Sequence, residues 1–192
     1  MPTDIALFPL GTVLFPGGLL PLRIFETRYT DMIRRCMRED VVFGVVRIEQ
    51  GSEVSATVQT ATYGTSARIV DFQTLDNGLL GVLCRGEARF RILSNNRQTD
   101  GLNRAQVEWV PEHERVPVSA DHAALVTVLR ESLSQLATLS RFIEPDYEDA
   151  GWVSYRLAEL LPLPILLQQQ LLETSDPVER LSVLTPLVDV SS

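Results

Sequence analysis

The sequence predicts an α+β protein in two parts: a β-barrel of about six strands with one helix over residues 1–117, then an α-helical bundle over residues 118–192. Three observations predict it. Through much of the first 110 residues, apolar positions alternate with polar ones, the two-residue period of a half-buried strand. A charged connector bounded by prolines, Pro111 to Pro117, then interrupts the pattern. Beyond it, apolar residues recur every three to four positions, as in helices packed by one face.

The elements follow in order. Ile5 to Leu10 and Thr12 to Phe15 are short apolar runs that read as strands on either side of Gly11. Pro16-Gly17-Gly18 reads as a type II turn, with φ preset at Pro16 and positive at Gly17. Leu19 to Ile24 reads as another strand. Pro21 has no N–H to donate, which places that strand near a sheet edge. Over residues 25–38 the period lengthens. Phe25, Tyr29, Met32, Ile33, Cys36 and Met37 form an apolar stripe, with Arg28, Asp31, Arg34, Arg35 and Arg38 off it, so an amphipathic helix is expected. Val41 to Ile48 reads as a strand closed by a polar loop, Glu49 to Ser52.

From Ala61 to Val110 the pattern is β. Arg68 to Phe72 and Leu79 to Leu83 flank Asp76-Asn77-Gly78, and Asn-Gly between apolar runs signals a hairpin. Ala88, Phe90 and Ile92 alternate with Glu87, Arg89 and Arg91; Ser94 to Asn96 and Thr99 to Gly101 read as loop; Ala105 to Val110 alternates again. After the connector, Leu125, Leu129, Leu133 and Leu136 mark a helix over about 119–140. Val153, Leu157, Leu160 and Leu161 mark a second helix, and Pro164 opens a third in its first turn. Asp176-Pro177-Val178-Glu179 reads as the cap and first turn of a fourth, which buries Val178, Leu181 and Leu184 until Pro186 ends or kinks it.

Composition narrows the chemistry. All 17 basic residues are arginine, because the sequence contains no lysine. That excludes a P-loop, a Schiff-base enzyme, a Ser–Lys dyad and a lysine general base, and arginine replaces none of them because it stays protonated. The net charge of −8 argues against a general binder of nucleic acid or anionic membrane. The charge is uneven: residues 1–117 hold 14 acids and 13 bases, and residues 118–192 hold 11 acids and 4 bases. The two cysteines, Cys36 and Cys84, are too few and too far apart for a disulfide framework. With neither a signal-peptide pattern nor a membrane-length apolar run, a cytoplasmic protein with reduced thiols is expected.

Candidate sites are few. His113 lies between Glu112 and Glu114, but His122 is the only other histidine, so neither a metal nor any other cofactor is expected. No histidine is placed to activate Cys36 or Cys84, and both read as buried hydrophobes. Arg34, Arg35, Arg38, Arg85, Arg89 and Arg91 would form the basic surface of an RNA-binding rival. Against that rival, Glu87 shares a face with Arg89 and Arg91, and no aromatic residues interleave for base stacking. The first segment is the best working surface. Phe15, Leu19, Leu20 and Leu22 flank the turn, about half of them reading as core, with Arg23, Glu26 and Arg28 as polar neighbours. Glu26 reads equally well as a stabiliser of a helix N-terminus.

Several stretches together resemble the N-terminal, substrate-binding domain of Lon proteases. They are Phe8-Pro9-Leu10-Gly11-Thr12-Val13-Leu14-Phe15-Pro16-Gly17 leading to Leu20-Pro21-Leu22, then Ile24-Phe25-Glu26-Thr27-Arg28-Tyr29, Tyr63 to Ile69, Arg85 to Ile92, and Leu171-Leu172-Glu173 with Arg180-Leu181 and Leu184. Each piece alone is unspecific; their order and spacing carry the likeness along nearly the whole chain. The resemblance implies a PUA-like barrel followed by a helical bundle. It also implies a stand-alone bacterial member without Lon's ATPase and protease domains, and so no enzyme. The implied function is binding of exposed hydrophobic segments of unfolded or tagged proteins, with a protease or chaperone as partner. RNA binding by the PUA-like barrel is the alternative, and a hydrolase with a polar pocket of perturbed carboxylates a third. Whether the chain is a monomer or a dimer is left open.

Overall fold

The computed structural model describes residues 2–51, 58–76, 78–135 and 142–189. The chain divides into two compact units, Met1–Pro111 and Glu112–Ser192. Together the described residues form a sheet-rich α+β fold of six strands and five α-helices.

The first unit contains β1 (Thr3–Leu10), β2 (Leu19–Ile24), α1 (Thr27–Glu39), β3 (Phe43–Gln50), β4 (Gln59–Thr74), β5 (Leu80–Arg97) and β6 (Asn103–Trp109). The strand order is β2-β5-β4-β3-β1-β6, and β5 also pairs with β6. Only β1 and β3 are parallel, and the long crossover they need is the stretch holding β2 and α1. At 18 residues, β5 is long enough for three partners. Its first part pairs with β2 and its last part with β6, while β4 runs along much of its length. The pairing therefore returns from β6 to β5, and among the described residues β2 is left with β5 as its single partner.

Two apolar clusters explain why β1 does not alternate. Ala6, Phe8 and Leu10 pack in one with Tyr29, Ile33, Phe43 and Val45; Ile5 and Leu7 pack in the other with Val46, Phe90, Ala105 and Val107. A strand covered on both faces needs apolar residues at every position. Helix α1 is held by one face: Tyr29, Met32, Ile33 and Cys36 are buried, and the Tyr29 ring stacks on Phe8 at 3.9 Å between centroids. The predicted stripe is too wide at its ends. Phe25 precedes the helix and is 61% exposed, and Met37, turned about 100° round the helix from buried Cys36, is 39% exposed.

The β segment departs from expectation in three places. Thr12 to Phe15 is not a strand. There the Leu14 carbonyl accepts from Thr65 Oγ1 at 2.6 Å and Phe15 is buried, so the apolar run anchors a loop. Glu49 and Gln50 belong to β3 and Ser94 to Asn96 to β5, where Ser94, Asn95 and Asn96 pair with Gln106, Ala105 and Arg104 after a register shift. Polar side chains are no bar to a strand when its backbone is paired and its side chains face water. The β4–β5 connection closes with Leu75 N–H on the Leu79 carbonyl, and Gly78 takes a φ of 78°. Asn77 and Ser52 lie outside the described residues.

The second unit contains α2 (Ala123–Ser134), α3 (Ala150–Leu160), α4 (Ile165–Glu173) and α5 (Pro177–Asp189). Helix α3 packs on each of the other three. Leu125, Leu129, Val153, Leu157, Leu171, Leu181 and Leu184 are among the unit's buried apolar residues at helical spacing. The Asp149 carboxylate caps α3 by accepting from Trp152 N–H at 2.9 Å, and it also accepts from Val116 N–H at 3.1 Å. Asp176 accepts from Val178 N–H at 2.8 Å at the start of α5, as its sequence position suggests. Arg180, 1% exposed, donates to Ser154 Oγ and to the Thr174 and Ser175 carbonyls, so the buried charge is well bonded. Val178, expected to be buried, is 41% exposed, and of the two outcomes expected at Pro186 an end is excluded, because α5 runs through it to Asp189. The N–H that Pro186 lacks would have served the Ser182 carbonyl, and Ser182 is on an exposed turn where water can serve it instead. Leu136 lies outside the described residues.

The backbone tolerates no side chain at Gly86, because a Cβ there would run into the Phe15 carbonyl. Gly86→Ala is therefore expected to lower stability by about 1–3 kcal/mol, the usual scale of overpacking. Urea unfolding measures it, and an unchanged midpoint would contradict the close approach.

Candidate functional site

The turn that the sequence marks at Pro16-Gly17 shapes this region. Gly17 has a φ of 73° and Gly18 N–H bonds the Phe15 carbonyl at 2.9 Å, as a type II turn requires. Gly17 N–H donates to the Gly86 carbonyl at 2.8 Å, and Gly86 N–H donates to the Gly18 carbonyl at 2.9 Å. These bonds deliver the chain into β2 in register with β5, from Leu19 opposite Arg85 to Ile24 opposite Leu80. Alternation then divides the strand. Leu20 and Leu22 pack partly buried against the core with buried Ile24, while Pro21 and Arg23 are exposed.

Beside β2 lies a cleft of about 380 Å³. Phe8, Leu10, Leu20, Leu22, Phe25 and Tyr29 give it an apolar lining, and Arg23 and Glu26 are its charged members. The structure thus brings together Leu20, Leu22, Arg23 and Glu26 of the seven predicted residues. Phe15 is 1% exposed, within the core, and neither it nor Leu19 lines the cleft. Arg28 lines a different cavity, of about 460 Å³, with Asp4, Asp31, Arg35, Cys36 and Arg104. There it acts as a fastener: Nε donates to Glu26 Oε2 at 2.9 Å, Nη1 to the Gly101 carbonyl at 2.8 Å, and the guanidinium lies 4.6 Å from the Tyr29 ring centroid. Glu26 occupies the N-cap position of α1 but makes no side-chain capping bond; its carboxylate goes to Arg28.

Sequence reasoning missed Phe25, which it assigned to the stripe of α1. A signal was present. A hydrophobic residue just before an N-cap usually packs on the fourth helical residue. Here that position is Thr30, which offers no apolar partner, so Phe25 stays out in the cleft.

The arginines weighed as an RNA surface are occupied. Arg34 pairs with Asp31 at 3.4 Å, Arg35 and Arg38 both with Glu39 at 2.9 Å, and Arg91 with Glu108 at 2.8 Å. Arg89 is 1% exposed. Glu87 binds Arg68 rather than its strand neighbours. Among the described residues no cluster of three or more His, Cys, Asp or Glu could hold a metal, and no helix is long and apolar enough to cross a membrane. His122 Nδ1 lies 3.0 Å from Ser119 Oγ, a local contact. Cys36 and Cys84 are free and buried. Burial pushes the Cys36 thiol up and the Cys84 thiol up to about 12.

Comparison with known proteins gives a consistent result. The family model described as ATP-dependent protease La (LON) substrate-binding domain matches residues 4–190. Lon protease 2 of Myxococcus xanthus is 27% identical over 197 residues, an alignment that covers 98% of this chain and 24% of that protein. This chain therefore spans about a quarter of the length of that relative. A crystal structure of a Lon N-terminal domain protein from Xanthomonas campestris has a TM-score of 0.80 and 36% identity, covering 96% of this chain and 98% of the other. The N-terminal domain of a Mycobacterium avium complex Lon protease shares the fold with a TM-score of 0.65 at 22% identity, over 95% of this chain and 96% of that one.

The buried thiols carry a prediction. The thiolate is the reactive form, and raised pKa values keep both thiols protonated at pH 8, where folding also shields them. Treatment of the native protein with Ellman's reagent at about pH 8 should therefore release almost no colour, and unfolding in guanidinium should expose both thiols. Rapid reaction of one native thiol would contradict the assignment.

Proposed function

Because the chain belongs to the ATP-dependent protease La (Lon) substrate-binding domain family, we propose that it is a non-catalytic module that captures exposed hydrophobic segments of unfolded or tagged proteins. The observation that carries this reading is the apolar cleft beside β2, with Phe25 61% exposed in it. An unfolded segment presents apolar side chains to water, and transfer into such a cleft returns about 25 cal/mol for each Å² buried. Among the described residues β2 has a single strand partner, so an extended segment can also add to its other side. Pro21 removes one backbone donor from that edge, which weakens strand addition and guards against self-association. Capture of one short segment is therefore weak. Retention depends on several modules, or on a protease or chaperone partner, acting through effective concentration.

The finer architecture fits this role. We read the first unit as a PUA-like barrel, supported by the return of pairing from β6 to β5, and the second as a helical bundle that packs around α3. The absence of catalysis is supported by the complete lack of lysine and by the character of the cleft, in which Glu26 is the only carboxylate among the described residues and is held by Arg28. Two free thiols suit a reducing cytoplasm. Binding to RNA is disfavoured by the same ion pairs that occupy Arg34, Arg35, Arg38 and Arg91.

Titration of the chain with a permanently unfolded, fluorescently labelled model protein tests the proposal. Saturable binding at micromolar to high micromolar concentration is expected. Phe25→Ala, at an exposed site that the fold does not need, should weaken it about five-fold or more, the scale of one aromatic side chain partly buried on binding. No binding at high micromolar concentration would sink the proposal.

A further inference from the structure

Arg23 differs from the other arginines. Among the described residues, each of the others engages an ionic, hydrogen-bonding or aromatic partner. Arg23 is exposed and has no such partner among the described residues. An exposed guanidinium is stable in water, so its place matters more than its freedom. It lines the cleft beside Leu22 and Phe25. The other charged group there, Glu26, is neutralised by Arg28 at 2.8 Å. The cleft thus combines an apolar lining with one uncompensated positive charge, on a chain whose net charge is −8. That overall charge disfavours acidic ligands except where a local cation offsets it.

We propose that the cleft selects segments in which an acidic side chain directly neighbours an apolar one, with Arg23 pairing the carboxylate. This deepens the reading of the cleft as a site for polypeptide segments and rests on it. The spacing follows from the strand. Leu22 and Ile24 face the core side of β2 and Arg23 faces the opposite side. A segment extended alongside shares that pleat, so consecutive side chains fall on opposite sides. An apolar residue on the Leu22 side therefore places its immediate neighbour on the Arg23 side. The planar guanidinium can then bind a carboxylate with two parallel hydrogen bonds. The carboxylate belongs to an internal side chain, because a segment lying along β2 passes the cleft instead of ending in it.

Fluorescence anisotropy with the full chain and end-blocked ten-residue peptides tests this. One peptide carries Leu-Phe-Asp at its centre, a second Leu-Phe-Asn, and a third has Asp moved two residues from Phe. The adjacent-Asp peptide should bind about two- to five-fold more tightly than the other two at low salt, the scale of a solvent-exposed ion pair. The preference should vanish at about 0.5 M NaCl. Arg23→Gln should make the three peptides equivalent, and Arg23→Glu should favour a Lys peptide over the Asp one. Equal binding of the peptides to the wild-type chain, weakened in Phe25→Ala, would overturn the role of Arg23 while leaving the cleft as the site. A preference that survives Arg23→Gln, or that follows an unblocked terminal carboxylate instead of the internal Asp, would also overturn it. No binding of any peptide would remove the cleft as the site, and this inference with it.

Discussion

The pair of backbone hydrogen bonds at Gly86 is the constraint on which the rest of the first unit depends. Gly17 N–H reaches the Gly86 carbonyl, and Gly86 N–H reaches the Gly18 carbonyl. They form only because Gly17 accepts a positive φ and because Gly86 presents no Cβ to the Phe15 carbonyl. With the turn docked there, Leu14 and Phe15 go into the core and β2 starts in register on β5. A one-residue slip would turn Leu20, Leu22 and Ile24 to water and Pro21 and Arg23 to the core. The cleft is therefore a consequence of turn chemistry some residues away.

Charge is handled by pairing more than by burial. With arginine as the only basic side chain, each cation can engage carboxylates or carbonyls through a planar fork, as Arg28 does with Glu26 and Gly101, and Arg115 with Asp146 and Glu148. Such exposed pairs contribute little stability individually. Together they leave the near-neutral first unit without a stripe of free positive charge among the described residues. The family to which the chain belongs is described as a substrate-binding domain.

Much of this was legible in the residues. Pro16-Gly17 specified its turn, Pro21 marked a strand at the end of the sheet, and Tyr29, Met32, Ile33 and Cys36 marked the buried face of α1. Leucine spacing in the second half placed its helices, and Asp176 its last cap. What misled was apolarity without a period. Thr12 to Phe15 is apolar because it anchors a loop, and Phe25 because it lines a cleft; in neither case does the side chain's character say which neighbour will cover it. Pro186 does not end α5, because the carbonyl it leaves unserved lies on an exposed helix turn.

The sequence by itself determined the class of the fold, the family, and the chemistry that a chain without lysine cannot perform. These depend on periods, turn residues and side-chain inventory, which are local properties. Only the tertiary structure decided that β5 serves β2, β4 and β6, that Phe15 is core while Phe25 is not, and that Arg28 is paired while Arg23, beside the cleft, has no partner among the described residues. Those outcomes depend on which distant segments meet, and a chain's local pattern does not encode the identity of a partner some 60 to 70 residues away.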